Sequence, residues 1–339
     1  MLNFTGAKRF LKLVLPIRLC IILDGILKKI KKRYVLGLIA SLKPLESKGS
    51  PQYIISLTSY GKRLVDTVLF ALITLFNQNI RPDRIILWIA NDEKECIPPI
   101  MEKLIEKGLE IYFCEDIKSY KKLIPAIENF PEDYIITADD DIYYPKNWFE
   151  QLMIEHKKYP KKIVCHRANG IKVDGKHNPI PYIKWDGCIR PSIYFARISM
   201  QKGQSVLRHQ LESVFPTGGA GTLYPPSCFH KDIANKELFM KLAPYADDIW
   251  FWTMAVINIE EYFGGESPYV VIENGVAHNL QNIETREQRD NDSLRNFNCL
   301  QNGNDRQLKA VIEHYPQVTN VLKKIQPFQY KNKEYSLQK

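Results

Sequence analysis

The stretch Tyr134–Asp141 reads YIITADDD, an apolar run with the character of a buried strand, followed at once by three aspartates. Three adjacent carboxylates repel one another, so this placement favours a bound cation. Hard oxygen ligands suit Mg²⁺ or Mn²⁺, and such an ion keeps coordination positions open for a substrate diphosphate. An acidic turn that caps the next helix is the alternative. The stretch therefore predicts a metal-binding loop at the end of a strand.

The chain before this stretch alternates between strands and helices. The predicted strands are Tyr53–Leu57, Ile85–Ala90, Leu109–Cys114 and Tyr134–Ala138, and the predicted helices are Val65–Phe76, Ile100–Lys107 and Leu123–Asn129. This alternation predicts an α/β fold with a Rossmann-like, mostly parallel sheet and helices on both faces. Such sheets bind ligands, commonly nucleotides, at the carboxyl ends of their strands.

Beyond the aspartates the pattern is less regular, and residues 167–230 are rich in Pro, Gly and aromatic side chains. Helices are predicted at Asn147–Tyr159 and from Asp247 onward, and strands at Ile163–His166 and Tyr269–Ile272. A linker signal occurs at residues 47–51. The predicted division is a basic amphipathic segment (1–50), a large domain (51–305) with a nucleotide-binding half (51–145) and an acceptor half (146–305), and a helical tail (306–339).

The formal net charge of +9 resides in residues 1–50, which carry eleven Lys and Arg against Asp24 and Glu46. The remaining chain is therefore neutral, whereas a nucleic-acid-binding domain usually carries basic residues over its folded surface. We accordingly expect no nucleic-acid partner.

Seven cysteines are scattered along the chain without a CxxC pair or a zinc-type spacing, which indicates a reducing compartment. We therefore expect a cytoplasmic protein.

The N-terminal basic segment does not read as a membrane span. Its longest apolar run, Leu11–Leu27, is interrupted by charged residues and Pro16, and a spanning helix needs about 20 apolar residues. The basic cluster Lys28–Arg33 beside this run predicts a peripheral anchor on the inner face of the cell membrane. The alternative is that the segment packs on the domain as structure.

Several motifs occur in a fixed order along residues 53–280. They are IISLTSYGKR at Ile54–Arg63, NQ at Asn77–Gln78, PDRIIL at Pro82–Leu87, ITADDD at Ile136–Asp141, TGGAGTLYPP at Thr217–Pro226 and DDIW at Asp247–Trp250. This series resembles family-2-like bacterial glycosyltransferases of the GT-A fold, especially those that act on capsule or lipopolysaccharide sugars. The ITADDD motif looks like the DXD motif of that family.

The resemblance implies a site for a nucleotide-sugar donor. The loop Thr58–Arg63 would hold the base and ribose, Asp116 would contact a uracil ring, and Lys122 would meet the diphosphate. The residues implied in donor binding are Thr58, Ser59, Tyr60, Arg63, Asp116, Lys122, Asp139 and Asp140. By the same resemblance Asp141, Asp139 and His278 would bind the Mn²⁺ or Mg²⁺ cofactor. A hydrogen-bonded surface histidine is the alternative for His278.

Asp247 and Asp248 open a predicted helix beside the aromatic run Trp250–Trp252. Acids in a first turn stabilise any helix through its dipole, which is the alternative to a catalytic role. Aromatic neighbours suggest a partly desolvated site, where a carboxylate becomes a better base. By resemblance the second acid is the base, so we predict catalysis by Asp248 with Asp247 beside it, and inversion at the sugar.

The glycines of the TGGAGTLYPP motif give the backbone freedom to approach a sugar closely. Gly218, Gly219 and Gly221 are therefore predicted to bind substrate. Tyr224 and Trp185 are candidate stacking surfaces, and a position in the core is the alternative for both.

Together these features predict a metal-dependent glycosyltransferase. The resemblance implies a UDP-sugar donor and a glycan or lipid-linked acceptor in bacterial surface polysaccharide synthesis. A sugar-phosphate nucleotidyltransferase is one alternative, but it would carry a glycine-rich phosphate loop where Thr58–Arg63 has a single glycine. A non-catalytic scaffold for polysaccharide assembly is the other.

Overall fold

The computed structural model describes residues 17–46, 49–202, 213–273, 275–284, 298 and 301–328. The helices are α1 (Ile17–Gly37), α2 (Arg63–Asp66), α3 (Val68–Phe76), α4 (Glu102–Ile105), α5 (Ile124–Asn129), α6 (Trp148–Lys158), α7 (Pro191–Lys202), α8 (Lys236–Leu242), α9 (Asp247–Val256), α10 (Gly303–His314) and α11 (Val318–Lys324). The strands are β1 (Tyr53–Thr58), β2 (Arg84–Ala90), β3 (Leu109–Cys114), β4 (Tyr134–Thr137), β5 (Ile142–Tyr143), β6 (Ile163–Cys165), β7 (Ala168–Gly170), β8 (Val214–Pro216), β9 (Thr222–Tyr224), β10 (Tyr269–Val271) and β11 (Gln281–Asn282).

Seven strands form the central sheet, in the order β10-β6-β9-β4-β1-β2-β3. β1 is parallel to β2 and β4, β2 is parallel to β3, and β6 is parallel to β10. β9 is antiparallel to its neighbours β4 and β6. The mostly parallel α/β sheet predicted from the alternation is confirmed, and each predicted strand lies within one residue of its observed bounds.

Alternate residues of the strands pack into two hydrophobic cores. Ile54 and Ile135 belong to a core that includes side chains of α5, α9, α10 and α11. Ile55 and Ile136 belong to a second core, with side chains of α1, α3 and α6. Successive side chains of a strand point to opposite faces of a sheet. The predicted covering of both faces by helices is therefore confirmed.

The strand β9 lies in the part of the chain for which the sequence pattern predicts no regular structure. It follows the short 3₁₀ helix Gly218–Ala220 after one residue, Gly221, and completes the sheet between β4 and β6. Thr222 pairs with Thr137 at the end of β4. The glycine-rich turn therefore lies next to the three aspartates.

The C-terminal helices α10 and α11 are integral to the main domain. Val311 and Val318 are fully buried in the same core as the aromatic residues of α9. The predicted boundary between residues 305 and 306 falls inside α10. The described part of the expected tail is thus core structure, and residues 329–339 lie outside the described residues.

The N-terminal helix α1 also contacts the domain. Val35 is fully buried in the second core, and Lys32 Nζ lies 4.8 Å from the centroid of the Phe70 ring on α3. Within the described ranges no helix has the length and apolar character that a membrane crossing needs. One face of α1 thus packs on the domain, as the structural alternative for the N-terminal segment predicts.

Candidate active site

Three loops meet at one edge of the central sheet. β1 and β4 are parallel neighbours, so the residues that follow them, Ser59 and Asp139, leave the sheet at the same edge. β9 runs in the opposite direction and begins where β4 ends. The loop after β1, the aspartate loop Asp139–Asp141 and the glycine-rich turn Gly218–Ala220 are thereby brought together.

Asp140 is buried and bound by residues from the loop after β1. Its carboxylate accepts hydrogen bonds from Ser59 Oγ at 2.6 Å and from Arg63 Nη1 at 2.9 Å. Burial raises the pKa of Asp140, and these two donors oppose that shift. Ser59 is fully buried as well, so the described structure assigns this pair to fastening the two loops together. The predicted contacts of Ser59 and Asp140 with a donor stay predictions.

Arg63 forms ion pairs with two further carboxylates. Its Nη2 lies 3.4 Å from Asp141 Oδ2 and 3.2 Å from Glu284 Oε2. Burial opposes the guanidinium charge, but the surrounding carboxylates hold the pKa of Arg63 above its ordinary value. Burial and the charges of the other two loop aspartates raise the pKa of Asp141 to about 7. Arg63 therefore neutralises only part of the negative charge of the aspartate loop.

Lys122 connects the aspartate loop with the start of α9. Its Nζ lies 3.2 Å from Asp139 Oδ1 and 3.0 Å from Asp247 Oδ2, and its side chain is only 9% exposed. Burial works against the ammonium charge, yet Asp139 and Asp247 keep the pKa of Lys122 well above its ordinary value. Burial likewise works to raise the pKa of Asp139, but Lys122 holds it below the ordinary value. Lys122 is therefore buried between the two acidic groups, and its contact with a diphosphate stays a prediction.

The glycine-rich turn touches both acidic groups through its backbone. Gly218 N donates to Asp248 Oδ1 at 2.9 Å. A Cβ added at Gly219 would overlap Asp139 Oδ2, and one added at Gly221, where φ is +108°, would overlap the Trp148 ring. Glycine is required at these positions because the backbone approaches its neighbours so closely.

Two aromatic side chains hold this turn in place. Tyr144 Oη accepts a hydrogen bond from Asp139 N at 2.7 Å and lies 3.0 Å from Gly219 O, to which it can donate. Trp148 Nε1 donates to Ala220 O at 2.7 Å. The aspartate loop and the turn are therefore joined by fixed hydrogen bonds.

Asp248 lies against an apolar wall. A small cavity beside its carboxyl group is lined by Pro216, Tyr224, Phe251, Trp252 and Tyr269. Burial, with a contribution from the neighbouring Asp247, raises the pKa of Asp248 to about 7. A carboxylate with such a pKa is a stronger base than an exposed aspartate, and about half of it is ionised at neutral pH. The arrangement suits proton abstraction from a hydroxyl group.

The residues present fit a divalent cation by charge and by ligand type. Two cations, Arg63 and Lys122, share ion pairs with five carboxylates, those of Asp139, Asp140, Asp141, Asp247 and Glu284. This excess of negative charge and its oxygen ligands suit Mg²⁺ or Mn²⁺. Among the side chains that the structure describes, no three His, Cys, Asp or Glu are gathered as a metal site. The carboxylates of Asp139 and Asp141 pair with Lys122 and Arg63 in this structure.

The other predicted donor contacts lie around this edge. Thr58 ends β1, and its Oγ1 donates to Trp88 O at 2.8 Å. Tyr60 is about half exposed beside Arg63. Asp116 is exposed and pairs with Lys121; burial works to raise its pKa, but hydrogen bonds from Lys121 and Lys118 N lower it. These placements leave the contacts of Thr58, Tyr60 and Asp116 with a nucleotide as predictions.

The two candidate stacking residues occupy the core. Trp185 is 7% exposed, its Nε1 donates to Ile180 O at 2.9 Å, and its ring packs on Phe215. Tyr224 is 4% exposed and packs against Phe229. The structure therefore supports a position in the core for both residues. The backbone of His278 lies in a 3₁₀ turn, Val276–Asn279, but its side chain lies outside the described residues.

The sequence pattern gives no sign of three residues that complete the site. Glu284 pairs with Arg63, and Tyr144 joins the aspartate loop to the glycine-rich turn. Arg167 follows β6, and its Nε donates to Thr217 Oγ1 at 2.6 Å. It is also near enough to help lower the pKa of Asp139. All three act through contacts between distant parts of the chain, which no local motif encodes.

No protein-family model and no curated protein matches the sequence. Among solved structures the chain is similar to residues 1–349 of S. aureus TarS in complex with UDP (13% identity, 66% of this chain, 58% of that chain, TM-score 0.38). It is also similar to the mannosyltransferase PcManGT from Pyrobaculum calidifontis in complex with GDP-Man and Mn²⁺ (10% identity, 68% and 57% of the two chains, TM-score 0.39).

A third similar structure is a CMP:2-keto-3-deoxy-manno-octonic acid synthetase complexed with CTP (9% identity, 66% of this chain, 90% of that chain, TM-score 0.35). The chain spans 35% of TarS in a longer structure and less than two thirds of the shorter TarS and PcManGT chains. Identities and TM-scores at this level do not establish a shared activity.

Proposed function

We propose that the chain is a metal-dependent glycosyltransferase of the GT-A type that moves a sugar from a nucleotide-sugar donor to an acceptor hydroxyl group. The resemblance of the sequence motifs supports this proposal, and it names a UDP-sugar as the first donor to test. It also suggests a glycan or lipid-linked acceptor in bacterial surface polysaccharide synthesis.

The contact of Lys122 with Asp139 and Asp247 is the observation that carries the proposal. It joins an acidic loop at the end of a parallel strand to an acidic pair at the start of α9. The glycine-rich turn lies against both, since Gly219 abuts Asp139 and Gly218 binds Asp248. Asp139, which is proposed to act on the diphosphate side, and Asp248, which is proposed to act as the base, therefore both contact this one turn.

Asp248 is the proposed general base. The acceptor oxygen attacks the anomeric carbon of the donor while the bond from that carbon to the diphosphate oxygen breaks. The hydroxyl proton passes to Asp248, and the nucleoside diphosphate leaves with the bonding electron pair. The sugar passes through an oxocarbenium-like state, and attack from the face opposite the leaving group inverts the anomeric centre.

Asp141 and Asp139 are the residues proposed to hold Mn²⁺ or Mg²⁺, with His278 as a third ligand. A divalent cation stabilises the negative charge that develops on a leaving diphosphate. Lys122 holds Asp139 in its ionised form, and Arg63 fixes the position of Asp140 and Asp141.

Incubation of the protein with Mn²⁺ and a panel of nucleotide sugars tests this function. Slow hydrolysis of one donor, with release of the nucleoside diphosphate, is the expected result. Pyrophosphate-dependent exchange would instead identify a sugar-phosphate nucleotidyltransferase. Absence of both reactions, with nucleotide binding retained in calorimetry, would identify a non-catalytic scaffold.

A further inference from the structure

One face of helix α1 packs on the domain, and we call it the committed face. Lys31 is 6% exposed, and its Nζ donates to Gln281 Oε1 at 2.6 Å and lies 3.9 Å from the centroid of the Tyr143 ring. Lys32 Nζ donates to Asp66 O at 2.8 Å, and Lys28 Nζ donates to Glu284 O. Three cations of the basic cluster are therefore bound to the protein itself.

The opposite face of α1 carries an exposed apolar stripe. Ile22, Ile26, Ile30 and Tyr34 recur at four-residue steps, and they are 58%, 48%, 47% and 40% exposed. Residues four apart lie above one another on the same side of a helix. Lys29 and Arg33 are exposed within the same stretch. We call these six residues the outer face of α1.

The charge of the outer face and its surroundings indicates what kind of surface it fits. Asp24 is the one acid among the 21 residues of α1, and it pairs with Lys28. In the sequence, residues 1–16 add Lys8, Arg9 and Lys12 with no acid. A helix with an apolar stripe and flanking Lys and Arg suits the interface of an anionic bilayer.

We propose that the outer face of α1 lies on an anionic lipid bilayer and thereby holds the active-site edge of the domain toward the lipid headgroups. The inference rests on the proposed function, because a lipid-linked acceptor would be presented at that surface. It also refines the expected anchor, since Lys29 and Arg33 face outward while Lys28, Lys31 and Lys32 do not.

The contacts of the committed face connect the bilayer surface to the site. β11, which contains Gln281, pairs with β5 directly after Asp141, and Ile283 N donates to Asp141 O at 2.7 Å. Glu284 pairs with Arg63. Through Lys28 and Lys31 the helix thus contacts the segment that borders the aspartate loop.

Sedimentation with vesicles of equimolar phosphatidylglycerol and phosphatidylcholine tests this inference on the full chain. The double variant Ile26→Glu/Ile30→Glu should bind these vesicles at least about tenfold more weakly, since it places two anions in the contact. Ile154→Glu is the matched control, because Ile154 is 52% exposed on α6, and it should bind as the unmodified protein does. Vesicles of phosphatidylcholine alone should bind the unmodified protein less than the anionic vesicles do.

Two further measurements separate the possible outcomes. Donor hydrolysis in solution should be unchanged in the double variant, while transfer to an acceptor in vesicles should fall. Equal vesicle binding by the double variant and the control would overturn the inference. So would light scattering that shows self-association of the unmodified protein through this face, lost in the double variant. If vesicle binding follows the prediction but no donor is hydrolysed, the proposed function is refuted, whereas the proposed contact of the outer face with a bilayer is supported.

Discussion

Lys122 Nζ lies 3.0 Å from Asp247 Oδ2, so a buried ion pair links the two halves of the domain. The same amine lies 3.2 Å from Asp139 Oδ1. One lysine therefore sets the spacing between the residues proposed to act on the leaving group and those proposed to act on the acceptor.

Lys122→Met should lower the free energy of unfolding by about 3 kcal/mol, because it leaves the buried Asp247 and the partly exposed Asp139 without their cation. Urea denaturation measures this change. Lys309→Met is the control, since Lys309 pairs with Glu313 at 3.8 Å while the two side chains are 78% and 67% exposed, and its loss should cost about 1 kcal/mol or less. Equal losses in the two variants would mean that the Lys122 pairs contribute no more than a surface ion pair.

Asp248→Asn should reduce the rate of transfer by roughly 100-fold or more, which is the contribution of a positioned general base. Donor affinity measured by calorimetry should stay nearly unchanged, because the base acts on the acceptor in the transition state. Asp247→Asn is the companion variant. If it gave the larger rate loss while Asp248→Asn abolished donor binding, the two residues would exchange roles.

The pH dependence of transfer should follow the ionisation of Asp248, whose pKa is raised to about 7. A general base acts when deprotonated, so kcat/KM should fall about tenfold per pH unit well below 7 and level off above it. The charged groups around Asp248 are Asp247, Asp139 and Lys122. The residual activity of Asp248→Asn should not show this fall below pH 7. If the fall persisted in the variant, another group would be responsible for it.

Gly219→Ala should abolish most activity, because the added methyl group overlaps Asp139 Oδ2 and must displace the turn or the aspartate loop. The control is Gly175→Ala, where an added Cβ meets no atom within 4 Å. Steady-state kinetics with donor and acceptor compare the two variants. Full activity in Gly219→Ala would show that this close approach is not needed for catalysis.

Excess chelator should abolish transfer, and Mn²⁺ or Mg²⁺ should restore it. Asp141→Ala should stay inactive after metal is added and should lose Mn²⁺ binding in calorimetry, and His278→Ala should be severely impaired. Asp92→Ala, an exposed surface variant, should behave as the unmodified protein does. Full transfer in excess chelator would refute the metal requirement.

Six of the seven strands of the central sheet were predictable from the sequence, because each is a mainly apolar run bounded by turn residues, as in Ile85–Ala90. β9 was not, because three residues after a glycine-rich turn are too few to show a period. Their place in the sheet is decided by neighbours on β4 and β6.

The site was predictable where adjacent residues carry the signal, as with Asp139–Asp141 and the Asp247–Asp248 pair. The partners of these acids were not, because the contacts of Lys122 and Glu284 depend on tertiary structure. For Trp185 the sequence predicted a binding role that depends equally on tertiary structure. Its large aromatic side chain suits a sugar-binding surface and a core equally, and only its 7% exposure decides for the core.

The ion pair of Arg63 with Glu284 spans 221 positions of the chain. During synthesis the aspartate loop leaves the ribosome long before Glu284 does, and contacts of such long sequence separation form late in folding. A nascent chain that ends before residue 284 therefore exposes an acidic loop with part of its closure still missing. The contact between Arg63 and Glu284 can therefore form only after most of the protein has been made.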